Sequence, residues 1–455
     1  MAKKNASNGF IPCNYTLFSF VKDDEYVTKV SKMTNIQQPF KLLLIFLVLS
    51  ALIMLAMFYR ASNAVIAPNL IHDLGLNAKT LGFLGGSYFI SIALFQIPMG
   101  PMLDKIGPRF VITSFLLIGA LGAFLFALGS SFSEVLLGRV LIGVGMACVL
   151  MGAMKVFTLM FPPEKFATLV GIIVSIGTLG SILAASPLAY LTSTIGWRIT
   201  FVIAGGITII FAILIFFVLG GKKERGVSLV TSPSSEQTMG IFQSIRSVLG
   251  SLVFWQIGAA AFSRYGTFIS LQGLWFGPFL INNVGYSPVH AGNILILLAI
   301  GSIVGGPIAG WLSDKPFISK KSIGLLGLGF YGISLFPLVG VIKTHNPFWY
   351  AIIFFFIGFF GGSTMVVYSH AKELFPITIS GTVTTLVNFF SLAGGAIFMT
   401  GMGKIIQSFS STDAFPTKAY HLSFLICFLT VIASTVFYAF SKKEKSQFGL
   451  DLESC

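Results

Sequence analysis

Gly100-Pro101-Met102-Leu103-Asp104-Lys105-Ile106-Gly107-Pro108-Arg109 is a short polar island between two long apolar runs. It recurs in part as Gly310-Trp311-Leu312-Ser313-Asp314-Lys315, 210 residues later. Phe161-Pro162 recurs as Phe375-Pro376 at nearly the same offset, 214 residues. Each island follows the second apolar run of its half, and each Phe-Pro pair follows the fourth. Two matching offsets mark an internal duplication, and parallel repeats with a site between the halves are a known plan of membrane transporters.

Working outward from the islands, apolar runs cover about 42–70, 80–102, 110–130, 135–160, 166–191, 199–220, 251–281, 291–312, 322–342, 349–372, 380–403 and 419–440. A helix needs about 20 residues to cross the hydrocarbon core, so these predict twelve spans. The composition agrees: of 455 residues 55% are hydrophobic and 10% charged, with mean hydropathy +0.89. Soluble domains carry about 25% charged residues. A soluble enzyme and a disordered chain are both excluded.

The net charge is +14, but the basic residues sit in short clusters between apolar runs, as membrane topology requires and nucleic-acid binding does not. Lys105, Arg109, Lys165, Lys222, Lys223, Arg225, Lys315, Lys320, Lys321 and Lys372 fall in one set of connections, together with both tails. The other set carries few. The basic set is expected to face the cytoplasm, with both termini inside. The tails are residues 1–40 and 441–455, and a polar linker over 221–250 separates the halves 41–220 and 251–440. The first 40 residues lack the pattern of a signal peptide. Four cysteines show no ligand spacing, and there is no nucleotide-binding loop. Neither metal, cofactor nor enzymatic chemistry is expected.

Gly100-x3-Asp104-Lys105-x-Gly107-x-Arg109 resembles the loop motif of the major facilitator superfamily, between its helices 2 and 3. Arg139-x3-Gly143-x-Gly145 resembles that superfamily's second motif, and Gly196-Trp197-Arg198 before the sixth span is also typical. The resemblance covers about residues 41–440. It implies an all-α membrane protein of twelve transmembrane helices in two pseudo-symmetric six-helix bundles, working by alternating access in a cell membrane, with a bacterial inner membrane and a monomer expected.

Physically, the first motif reads as a gate latch. Asp104 and Lys105 or Arg109 are placed to bond the end of a neighbouring helix, and Gly100 to permit close helix approach. Gly107 belongs to the same latch, Gly310, Asp314 and Lys315 to its second copy. The resemblance assigns Arg139 a structural and coupling role.

Ionisable residues inside spans are costly and point to function. Arg60, Arg139, Lys155 and Arg264 are such residues, whereas no Asp or Glu lies deep in any span. A cation facing a cavity wants an anion, so the expected partner is a small anionic or zwitterionic solute. Arg60 leads, because its guanidinium offers a two-pronged fork to carboxylate or phosphate. By helical spacing it shares a face with Asn63 and Ala67. The Arg-x7-Pro arrangement from Arg60 to Pro68 also resembles the organic-anion branches of the superfamily. These are the organophosphate:phosphate antiporters and the anion:cation symporters for sugar acids. There the matching arginine binds the anionic group.

Arg264 with Tyr265, and Gln272 further along the same span, are the second-half candidates. The repeat offset pairs Arg60 with 270–272 rather than with Arg264. Lys155 either faces the cavity or reaches to the headgroups. Tyr88, Gln96, Tyr368, His370 and Asn388 are polar candidates for orienting a substrate. Tyr59 stands where the sugar-acid symporters carry an acid, and the antiporter motif of span 5 is incomplete. Coupling therefore stays open between a proton and a counter-anion. Amino-acid or nitrate transport, or a transporter-like sensor, are the alternative readings.

Overall fold

The computed structural model describes residues 37–161, 166–220, 241–313, 318–341, 346–362, 364–375, 379–409 and 416–441. Asp314, Lys315, Pro162, Pro376 and most of the tails and linker lie outside them. The chain divides into two compact units, Met1–Leu44 and Ile45–Cys455. Of the first, the described part is the opening of helix α1. The rest of α1 and all the other helices belong to the second.

Hydropathy converts into helices almost throughout, because in lipid a helix satisfies every backbone group internally. The first half contains α1 (Gln37–Ala61), α2 (Asn63–Leu74), α3 (Ala78–Lys105), α4 (Pro108–Leu128), α5 (Phe132–Ala147), α6 (Val149–Met160), α7 (Phe166–Leu183), α8 (Ser186–Thr194) and α9 (Trp197–Val218). The second contains α10 (Ile241–Leu249), α11 (Leu252–Ser270), α12 (Pro288–Ser313), α13 (Lys320–Leu335), α14 (Pro347–Gly361), α15 (Thr364–Leu374), α16 (Ser380–Ser408) and α17 (Thr417–Ala439). Eleven segments among the described residues are long and apolar enough to cross a membrane.

The segment expected over 251–281 departs from a simple helix. After α11 it continues through wide turns over Leu271–Trp275 and Phe279–Asn283. There backbone bonds reach five residues back, from Phe276 N–H to the Leu271 carbonyl and from Val284 N–H to that of Phe279. Part of the expected polar linker is also helical. In α10 Val248 is fully buried against Phe254, Ile257, Val383 and Val387, which seats this short helix on α11 and α16.

Several spans are broken midway. Between α1 and α2 the Ser62 hydroxyl donates to the Tyr59 carbonyl at 3.0 Å, a back-bond that bends helices. Cys148 separates α5 from α6. Pro187 opens α8, where its missing N–H costs nothing. Discontinuous helices of this kind frame transporter binding sites.

Small residues close the seams between the two halves. At Gly277 a Cβ would lie 1.8 Å from the Ala64 carbonyl oxygen, so α2 and the wide-turn segment touch backbone to backbone. At Gly82 it would lie 2.6 Å from the Met399 carbonyl, which locks α3 onto α16. Close approach through small residues is how helices associate without a hydrophobic driving force. Between α8 and α12 the Ser186 hydroxyl bonds the Val289 carbonyl at 3.3 Å and Asn293 Oδ1 at 2.5 Å.

Candidate substrate site

Arg60 ends α1 just before the Ser62 break, half-buried. Its Nη1 donates to the Tyr265 hydroxyl at 3.2 Å and to Met57 Sδ at 3.6 Å. The guanidinium carbon lies 5.4 Å from the Tyr265 ring centroid. Tyr265 belongs to α11, so this contact spans the two halves of the chain. Both partners of Arg60 are neutral.

Tyr88 lies behind it on α3, 1% exposed, donating its hydroxyl to the Ala56 carbonyl at 3.3 Å. The Arg139 guanidinium of α5 lies over the Tyr88 ring, 4.5 Å from its centroid. The Tyr88 hydroxyl is within electrostatic reach of Arg139, Arg60 and Tyr265 together. Arg139 is 1% exposed, and its Nε and Nη1 meet no hydrogen-bond partner among the described residues. Tyr59, fully buried, bonds the Thr208 hydroxyl at 2.9 Å. Sequence reasoning assigned Arg139 to coupling and noted Tyr59 only for the acid it replaces. The structure brings both to the Arg60 neighbourhood.

The acidic side chains are elsewhere. The acidic residues with described side chains are Asp73, Asp104, Glu134 and Glu373, all near helix ends and all engaged. Asp73 Oδ2 accepts from Trp197 Nε1 at 2.8 Å, and Oδ1 lies 3.0 Å from His72. The hydrogen bonds from His72 and Trp197 hold the Asp73 carboxyl below the ordinary carboxylate range. Asp104 pairs with Lys155 at 2.6 Å, and Glu373 pairs with Lys320. Glu134 Oε2 caps the turn at Ser130 N–H, 2.8 Å away. Arg60 and Arg139 therefore form no ion pair among the described residues.

The sequence profile described as Major Facilitator Superfamily matches residues 48–399 and 265–451. The chain belongs to the major facilitator superfamily. An uncharacterized transporter of Bacillus subtilis, YybO, is 27% identical over 86% of this chain and 92% of its own length. A probable hexose phosphate transport protein of Chlamydia pneumoniae is 26% identical over 81% and 85%. Among solved structures, an inward-facing, unoccupied bacterial homologue of the human lysosomal transporter Spinster superposes with TM-score 0.69. It is 20% identical and is matched over 87% of this chain and 95% of its own.

The facilitator's other sequence-predicted residues have different surroundings. Lys155 was a substrate candidate, but its ammonium is held by Asp104, so it joins the latch. Arg264, another candidate, is 1% exposed and its Nη2 donates to the carbonyls of Phe360, at 2.6 Å, and Gly361. These are carbonyls that the end of α14 leaves without intrahelical partners. His370 is fully buried and shares a hydrogen bond with the Tyr438 hydroxyl at 2.7 Å, within the second half. Gln96 and Asn388 bond each other across the halves, and Tyr368 donates to Asn388 Oδ1 at 3.2 Å. They form a polar seam between α3, α16 and α15. Gln272 is nearly buried on the first wide turn, with no side-chain hydrogen bond among the described residues.

Asn63 is fully buried and neither side-chain atom finds a partner among the described residues. It does not share an unbroken helical face with Arg60, because the Ser62 turn intervenes.

The latch differs from expectation in part. Arg109 does reach a helix end: its Nε donates to the Phe216 carbonyl at 2.9 Å, and its guanidinium lies 4.0 Å from the Phe216 ring centroid. Lys105 is exposed and makes no bond among the described residues. Gly100 and Gly310 permit no close approach, since a Cβ at either meets nothing within 4 Å. The glycine that matters is Gly107, whose φ of +92° sets the turn from which Pro108 starts α4.

Proposed function

We propose that this facilitator is a secondary transporter that moves a small organic anion, a carboxylate or a phosphate ester, by alternating access. One observation carries the reading: Arg60 and Arg139 lie around Tyr88 with no carboxylate among the described residues to neutralise them. Charges removed from water are kept only when something pairs them, and a bound anion is the missing partner. Arg60 and Arg139 are the anion-facing cations in this reading. Tyr88, Tyr265, Asn63 and Gln272 supply neutral hydrogen bonds. The name of the Chlamydia relative, which specifies a hexose phosphate, supports the substrate class.

The end carrying Asp104 and Arg109 is assigned to the cytoplasm by its basic residues, in a bacterial inner membrane. The protein is a monomer and not an enzyme in this reading. Gating falls to the Asp104–Lys155 pair and to Arg109 on the end of α9.

Counterflow uptake into proteoliposomes tests the proposal with a panel of hexose phosphates, sugar acids, amino acids and nitrate. Accumulation of an organic anion is the expected result. Uptake of neutral amino acids or of nitrate alone overturns the substrate class, and binding without any uptake assigns the protein to a sensor.

A further inference from the structure

We infer that the site takes its cargo as a dianion, through the juxtaposition of Arg60 and Arg139 about Tyr88. This rests on the organic-anion reading above and narrows it to substrates with two negative charges, such as a fully ionised phosphate monoester or a dicarboxylate.

Charge, rather than hydrogen bonding, is what the site lacks. Arg60 is bonded to a phenol and a thioether, which satisfy donors but carry no charge. Arg139 retains two unpartnered nitrogens at 1% exposure. Tyr88 cannot supply the missing charge, because its hydroxyl is spent as a donor to the Ala56 carbonyl. Tyr59, next to Arg60, is likewise a neutral hydroxyl bonded to Thr208. An acid at that position would bring the site to a net single charge. With tyrosine there it stays at two.

The other interior cations do not alter this balance. Lys155 is neutralised by Asp104. Arg264 sits on the Phe360 and Gly361 carbonyls, where the partial negative charge of the α14 terminus faces it. A monoanion bound between Arg60 and Arg139 leaves one guanidinium uncompensated out of water. A dianion leaves none, and each guanidinium can offer a fork to its oxygens.

The test compares ligands of one shape and two charges. Binding of glucose 6-phosphate and glucose 6-sulfate to the purified transporter is measured at pH 8, with glucarate and gluconate as a second pair. We expect the doubly charged member to bind at least about tenfold tighter, the scale of a hydrogen-bonded charge. The phosphate preference should fade below about pH 6, where the phosphate gains its second proton. Arg139→Gln should collapse the ratio towards one. Arg139→Lys, which keeps the charge, should retain the preference at lower affinity, and it serves if the glutamine variant does not fold. Equal binding within both pairs by the wild type overturns the inference while leaving the organic-anion reading intact. So does a full preference in folded Arg139→Gln. If none of the four ligands binds, the organic-anion reading itself fails, and this inference with it.

Discussion

Arg139 and Arg264 are nearly twins. Each lies midway along a span, each is 1% exposed, and each guanidinium rests over a tyrosine, Tyr88 at 4.5 Å and Tyr331 at 5.9 Å. What separates them is the backbone nearby. Beside Arg264, α14 ends and leaves the Phe360 and Gly361 carbonyls to be bonded. Beside Arg139 the helices run on, and Nε and Nη1 meet nothing among the described residues. Burial and charge alone do not mark a ligand. The accounting of partners does, and here it puts the open cations in the first half and a structural cation in the second.

Arg60→Ala is the strongest challenge to that contrast. Removing the partner of a buried charge costs about 2–5 kcal/mol, roughly 30- to 5,000-fold in affinity. Binding to the native anion should be lost, and Arg60→Lys should restore little because the fork is gone. Near wild-type affinity in folded Arg60→Ala would transfer the anion to other residues.

Arg264→Gln should fail in the opposite way. Leaving two buried carbonyls short of a charged donor costs about 1–3 kcal/mol each, read as a lower melting temperature in detergent. Affinity in the surviving folded protein should change by less than about threefold. A large loss of affinity at an unchanged melting temperature would erase the contrast with Arg139.

The inner ends of the halves offer a milder comparison. In the first, the acid lies at the end of α3 and the base on α6, as Asp104–Lys155. In the second the polarity is reversed, with Lys320 opening α13 and Glu373 on α15. Arg109 and Lys321 also correspond, each donating to carbonyls where a last helix of its half ends, at Phe216 and at Ala439 and Ser441. Asp104→Asn should slow counterflow by about tenfold, equivalent to roughly 1.4 kcal/mol on a barrier, with substrate affinity unchanged. Stability should fall by under about 1 kcal/mol, since the pair is exposed. Unaltered transport would confine the pair to topology.

The smallest effect is expected at Asp73, at the opposite end. Its carboxyl titrates lower folded than unfolded, so its contribution is present above the ordinary carboxylate range, about 3.9, and is lost as pH falls through it. Asp73→Asn should flatten the melting temperature's decline between about pH 5 and 3 without touching transport at pH 7. An identical acid profile in the variant would remove Asp73 from the account.

Hydropathy made most of the fold legible, since a run of apolar residues long enough to cross lipid has almost no alternative to a helix. It missed the breaks. Ser62 and Cys148 interrupt spans through a hydroxyl bond and a local change of backbone angle, neither of which has an apolar signature. Charge within apolar runs singled out Arg60, Arg139, Lys155 and Arg264 as a set, but their ranking depended on groups remote in sequence. Asp104 lies 51 residues from Lys155 and Phe360 96 from Arg264. Gly100 was read as a contact glycine by analogy with packed helices. Its surroundings prove open, and the close contacts fall on Gly82 and Gly277 instead.

The wide turns between Leu271 and Asn283 bear on how the two halves can be aligned at all. A turn whose hydrogen bonds reach five residues back holds more residues than one of 3.6, and each residue added rotates the downstream helix by about 100°. Counting along the chain therefore drifts out of step with position in space, which is why a fixed offset matched Arg60 to 270–272 while its actual neighbour across the seam is Tyr265. The register here is kept by contact, with Tyr265 on Arg60 ahead of the turns and Gly277 on Ala64 within them. Deleting a single residue at Gln272 would straighten this stretch into an ordinary helix and swing one of those two contacts to another face. The loose winding is in effect an insertion held in place, and any ancestor of this duplication without it had a differently facing seventh helix.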